Sequence, residues 1–187
     1  MTTTETALPN GVNVEALLAA REALTAAPEA AKFQWRATNE WVNGTHSRTT
    51  IESFSGLGAE QSHKRAFTYD ADHPELFASE DHGPTPVEFV LLGLASCLTA
   101  GIAAVAGNRG VRLDSVTSTL EGDMDLRGIL GIDKSVRNGY QHINVSFQVE
   151  GDASDEELRK IVAQSQARSA VYDIVTGHVP VTITVNS

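Results

Sequence analysis

The chain has 187 residues, close to the ~150 of one typical domain, with 14 Lys+Arg against 24 Asp+Glu and a net charge of -10. Hydrophobic residues at 41% and charged ones at 20% exclude wholesale disorder and low-complexity arrays. The acidic balance, with no Lys/Arg run, speaks against a nucleic-acid partner, because binding phosphates depends on a cationic patch that releases their counterions. The single cysteine rules out an intramolecular disulfide and a Cys-based zinc site, and it suits a reduced compartment. The start, MTTTETALPNG, has neither the basic and apolar stretches of a secretory signal nor the arginines of a transit peptide, so a cytoplasmic protein is expected.

Residues 1–12 read as a loose polar tail. From Asn13 to about Ala27, Val14, Leu17, Leu18 and Leu24 follow helical spacing, with Asn13 as cap and Pro28 as stop. This amphipathic arm needs a partner for its apolar stripe. Tail and arm together form residues 1–32, and the main domain is expected over 33–187. FQWRATNEWV (33–42) and HSRTTIESFS (46–55) are rich in β-branched and aromatic residues, and Asn43-Gly44 between them is a strong hairpin signal. A third strand is expected over 64–70.

The acidic, Pro- and Gly-containing loop 70–86 leads to Thr85-Pro86-Val87-Glu88, where Thr85 can cap, Pro86 suits the first helical position and Glu88 completes a capping box. The helix that follows runs to about Ala106 and is released by Gly107 and Gly110. Its apolar run from Phe89 to Ala106 only just reaches the ~18 residues of a candidate membrane span. Its many Gly, Ala, Ser and Thr residues, the Glu88 at its mouth and the lack of a flanking basic cluster favour a helix buried on every side. No membrane partner is expected.

Strands are predicted over 115–126 and 140–151, the second with Ile143, Val145, Phe147 and Val149 alternating inward, joined by a long Gly-rich connection. Ser154-Asp-Glu-Glu157 is a second capping box, opening a helix whose buried face holds Leu158, Ile161 and Val162. A break near Arg168-Ser169 precedes a short helix that Gly177 ends, and residues 179–186 read as the last strand. This order is α+β rather than regular βαβ winding.

Three stretches in this order resemble the OsmC/Ohr superfamily of osmotically inducible and organic hydroperoxide resistance proteins. They are Gly83–Cys97, Tyr140–Gly151 with the acidic helix after it, and Ser169–Asp173 through Val179–Val185. The likeness spans roughly Phe33 to Val185. It implies an α+β fold in which antiparallel sheets wrap long buried central helices in an intertwined homodimer. It also implies thiol-dependent reduction of small organic hydroperoxides; no cofactor and no metal site are expected. Cys97 stands at the attacking position, with Arg48 and Glu88 as the positioning Arg and Glu. The second, resolving cysteine of the family's peroxidases is replaced by Ser169, so an external thiol reductant is implied.

Each residue also has a plainer reading. A lone Cys in an apolar helix is a small hydrophobe. To react it must become a thiolate, and Cys97 lies about three turns into its helix, beyond the terminal dipole. Activation would then depend on Arg48 or another group from elsewhere. Arg48 can equally be a solvated strand residue. Glu88 is first a capping residue, and nine residues before Cys97 at ~100° each it points ~180° away from it. Ser169 reads as a helix N-cap. The six histidines show no HxxxH or HExxH spacing, and the acidic pairs at Asp70, Asp72–His73 and Asp81–His82 are weak as metal ligands. Two functions therefore stand side by side. One is a peroxidase acting through Cys97; the other is a non-catalytic dimeric module that binds a small apolar ligand or a partner protein.

Overall fold

The structure, a computed structural model, describes residues 9–185 and consists of antiparallel sheets and helices. It divides into two compact units, one built on Glu15–Val90 and the other on Leu91–Ser187 with the short N-terminal stretch up to Val14. Much of the predicted tail lies outside the described residues. Within it, however, Asn10 is anchored: its side-chain amide donates to Val111 O at 2.8 Å and accepts from Leu113 N at 2.8 Å.

In the unit Glu15–Val90, helix α1 (Val14–Ala26) forms where the periodicity predicted, but none of its residues is buried and Leu17 and Leu18 face solvent. The first predicted strand is split into β1 (Gln34–Trp35) and β2 (Thr38–Asn43). Both pair antiparallel with β3 (His46–Gly56), whose other edge carries β4 (Ala59–Ala71). Asn43 stays in the strand opposite His46, and the turn is Gly44-Thr45, with Gly44 at φ +55°. A left-handed first turn residue is the II′ arrangement rather than the I′ turn that Asn-Gly suggests.

The β3–β4 turn has Leu57 at φ 54° and Gly58 at φ 76°, both left-handed as a type I′ turn requires. The branched side chain of Leu57 hides that signal from sequence reading, which is why β4 was expected only from residue 64. On one face of the sheet the rings of Trp35 and Phe54 lie 4.7 Å apart. Phe33 packs over Gly56, in space that any side chain there would fill.

Helix α2 (Pro86–Asn108) starts in this unit and runs through the other. In the unit led by Leu91, β5 (Leu113–Asp123) and β6 (His142–Gly151) form a two-stranded antiparallel sheet. The connection between them holds the one-turn helix α3 (Leu126–Ile129), capped by Asp125, which accepts from Arg127 N. Helix α4 (Asp155–Arg168) begins at Ser154, whose hydroxyl accepts from Glu157 N, and α5 (Ala170–Thr176) follows the break at Ser169. Ile102, Val105 and Ala106 of α2 meet Leu158 and Ile161 of α4 in one core, with Phe147 and Val149 of β6 packed against it.

Among the described residues α2 is long and apolar enough by length and composition to cross a membrane, yet the C-terminal part of its buried stripe forms this core. The stripe of Leu94, Leu98, Ile102, Val105 and Ala106 occupies one side only. Among the described residues burial on every side is therefore not achieved, and Val90 and Leu92 remain exposed. Residues 179–185 form no strand pairing here, although Val181, Ile183 and Val185 alternate and are each more than 80% exposed. The remainder of the predicted last strand, residue 186, lies outside the described residues.

Candidate functional site

Cys97 is partly buried on α2. The short helix α5 crosses near it, close enough that Val171 Cγ1 would lie 3.9 Å from a side chain placed at Gly93, one turn before the cysteine. Ser169, 6% exposed, sits at the join of α4 and α5. Its Oγ accepts from Tyr172 N at 3.1 Å, capping α5, and donates to Cys97 Sγ at 3.1 Å. Burial pushes the Cys97 thiol up, but the Ser169 hydroxyl and the N–H groups of Val171 and Ala170 more than offset it and hold the pKa below the ordinary thiol value. A cleft of about 390 Å³ lined by Gln166, Tyr172 and Asp173 opens beside Ser169.

The structure thus pairs Cys97 with the very residue that replaces the expected second thiol. Sequence reading identified Ser169 as an N-cap and looked to Arg48 for activation. It missed the hydrogen bond to sulfur, although the resemblance, which sets Ser169 at the place of a resolving thiol, implies that it lies within reach of Cys97.

Arg48 and Glu88 belong to the other unit. Arg48 stands opposite Asp70 across the β3–β4 ladder, and its Nε and Nη2 donate to Asp70 Oδ1 at 3.0 and 2.9 Å. His46 Nε2 lies 2.7 Å from the same oxygen. The bond to His46, with those to Arg48, draws Asp70 below its ordinary pKa against the opposing effect of desolvation. Glu88 performs the capping role: its Oε2 accepts from Thr85 N at 2.7 Å and from Thr85 Oγ1 at 3.0 Å. The Thr85 hydroxyl donates to the carboxylate, whereas a reciprocal capping box would have it accept from the helix.

Among the described residues no group of three or more His, Cys, Asp or Glu is arranged to hold a metal ion. Asp72 is instead consumed by its neighbours. Its Oδ1 accepts from Thr45 Oγ1 at 2.6 Å, Ser79 Oγ at 2.7 Å and His73 N at 2.8 Å, and its Oδ2 accepts from His82 N at 3.1 Å.

The sequence matches the OsmC-like protein family over residues 79–184, more than half of the chain. No curated protein matches it. Among solved structures, an OsmC-like protein from Mycoplasma pneumoniae is similar with a TM-score of 0.59 at 16% identity, covering 77% of this chain and 88% of its own. An OsmC-like protein of unknown function from Vibrio cholerae gives 0.54 at 12% identity, covering 77% and 94%. A Legionella pneumophila protein described as an organic hydroperoxide resistance protein OsmC gives 0.50 at 16% identity, covering 76% and 90%. At these identities the likenesses establish the fold.

Proposed function

This chain belongs to the OsmC-like family, and from that premise we propose that it is a thiol-dependent peroxidase reducing organic hydroperoxides at Cys97, with an external thiol as reductant. The observation that carries this reading is the hydrogen bond from the Ser169 hydroxyl to Cys97 Sγ at 3.1 Å. It favours the thiolate, which is the nucleophile in thiol chemistry. The Legionella relative, described as an organic hydroperoxide resistance protein, supports the substrate class.

In this reaction the Cys97 thiolate attacks the terminal, hydroxyl-bearing oxygen of the hydroperoxide. An S–O bond forms, the O–O bond breaks, and the alkoxide takes a proton from water to leave as an alcohol. The sulfenic acid then condenses with an external thiol, releasing water and leaving a mixed disulfide. A second thiol attacks that disulfide, freeing Cys97 and a small-molecule disulfide. Two external thiols are needed because Cys97 is the chain's single cysteine. Arg48 is drawn to Asp70 and Glu88 to Thr85, so neither is assigned a step.

The working form is a homodimer in the cytoplasm. The exposed side of α2, the uncovered α1 and the unpaired alternation of Val181, Ile183 and Val185 all favour burial by a second copy. Ser169 in place of a second thiol favours the competing reading, a non-catalytic module that binds a small apolar ligand. Turnover of cumene hydroperoxide with dithiothreitol separates the two. The wild-type chain is expected to consume peroxide, with Cys97→Ala reduced to the uncatalysed background. Equal rates in both would sink the peroxidase reading.

A further inference from the structure

We propose that Ser169 is the positioning residue of the Cys97 site, its hydroxyl proton committed to the sulfur so that the cysteine is held in its reactive form. This rests on the reading of Cys97 as a working thiol.

The geometry leaves the hydroxyl little choice. A serine oxygen carries one proton and two lone pairs. At Ser169 the oxygen accepts from Tyr172 N at 3.1 Å, in the N-cap of α5, and Cys97 Sγ lies 3.1 Å away on the other side. The cap thus consumes an acceptor site and leaves the proton free to point at sulfur. Ser169 is 6% exposed, so water competes poorly for that proton. The main chain that carries this hydroxyl is held on both sides, because Ser169 N donates to Gln166 O at 3.2 Å and Asp173 N donates to Ser169 O at 3.0 Å. A donor so fixed is worth more to the charged sulfur than to the neutral thiol, since hydrogen bonds to ions are the stronger ones. A hydroxyl, unlike a thiol, cannot form a disulfide with Cys97, so the residue stabilises the nucleophile without consuming its oxidised state.

The test is the pH profile of Cys97 alkylation by iodoacetamide, which reports thiolate directly and needs no turnover. Ser169→Ala is expected to raise the midpoint by about one pH unit, slowing alkylation at neutral pH by about tenfold. Ser169→Gly removes the hydroxyl but keeps a residue that N-caps almost as well. It should shift the profile in the same way while leaving the melting temperature nearly unchanged. Ser169→Thr should restore the wild-type midpoint. Ser154→Ala, which removes the cap of α4, should lower stability and leave the profile in place.

A wild-type midpoint in Ser169→Gly overturns the proposal, as does an equal shift in Ser154→Ala. The outcome is separable from that of the peroxidase reading. A shifted profile without any peroxide turnover ends the peroxidase reading alone, whereas turnover with an unshifted profile ends this one alone.

Discussion

Asp72 is 1% exposed and its carboxylate is surrounded by donors from three segments of the chain. The Thr45 hydroxyl contributes most, against the penalty of desolvation, and Ser79 with the N–H groups of His82 and His73 adds to it, so Asp72 is held well below the usual carboxylate range. A carboxylate whose folded pKa is depressed contributes stability above its unfolded pKa, near 3.8, and loses that contribution as the pH falls toward the folded value. Asp72→Asn is therefore expected to melt several degrees lower than wild type near neutral pH, with a shallower loss of stability below about pH 4. Thermal unfolding followed by circular dichroism across that range is the measurement, and an unchanged acid limb would refute the assignment. Sequence reading saw this segment as an acidic loop with weak metal ligands. The partners that decide otherwise, Thr45 and Ser79, lie 27 and 7 residues away from Asp72, and no spacing rule links them.

At the scale of elements, the helices were the most legible. Thr85, Pro86 and Glu88, then Ser154 and Glu157, then Ser169 and Gly177, mark starts and stops that the structure keeps, because a cap involves residues within one turn of each other. The contact between α2 and α4 was not legible. A side chain at Gly101 would run into Ser165 Oγ and sit 3.1 Å from Ser165 Cβ, and Ser165 Oγ donates to Leu98 O at 2.7 Å in the buried interface. Gly101→Ala gains about 1 kcal/mol of helix propensity but overpacks this contact at a cost of about 1–3 kcal/mol. A net loss of about 1 kcal/mol is expected in urea unfolding. Gly101→Ala should do less harm when combined with Ser165→Ala, which makes room, so strict additivity in that double-mutant cycle would contradict close packing at this point. The β3–β4 turn shows the opposite failure. Its geometry is local, but a leucine at φ 54° breaks the residue preference by which such turns are read.

For the whole molecule, a 23-residue apolar helix with one buried stripe leaves apolar surface that the described residues do not cover. The proposed homodimer would cover it, so light scattering after size exclusion should return the mass of two chains. A monodisperse monomer would contradict it. Some features of this protein were determined by sequence alone: the α+β order, the boundaries of α1, α2, α4 and α5 to within two residues, the resemblance to the OsmC-like family and the single thiol on the apolar helix. These are carried by patterns within a turn, a strand or a motif. Tertiary structure alone decided that Ser169 donates to Cys97, across a separation of 72 residues, and that Arg48 is paired with Asp70 and Glu88 with Thr85. A hydrogen bond depends on distance in space, and the chain fixes that distance only when its elements pack.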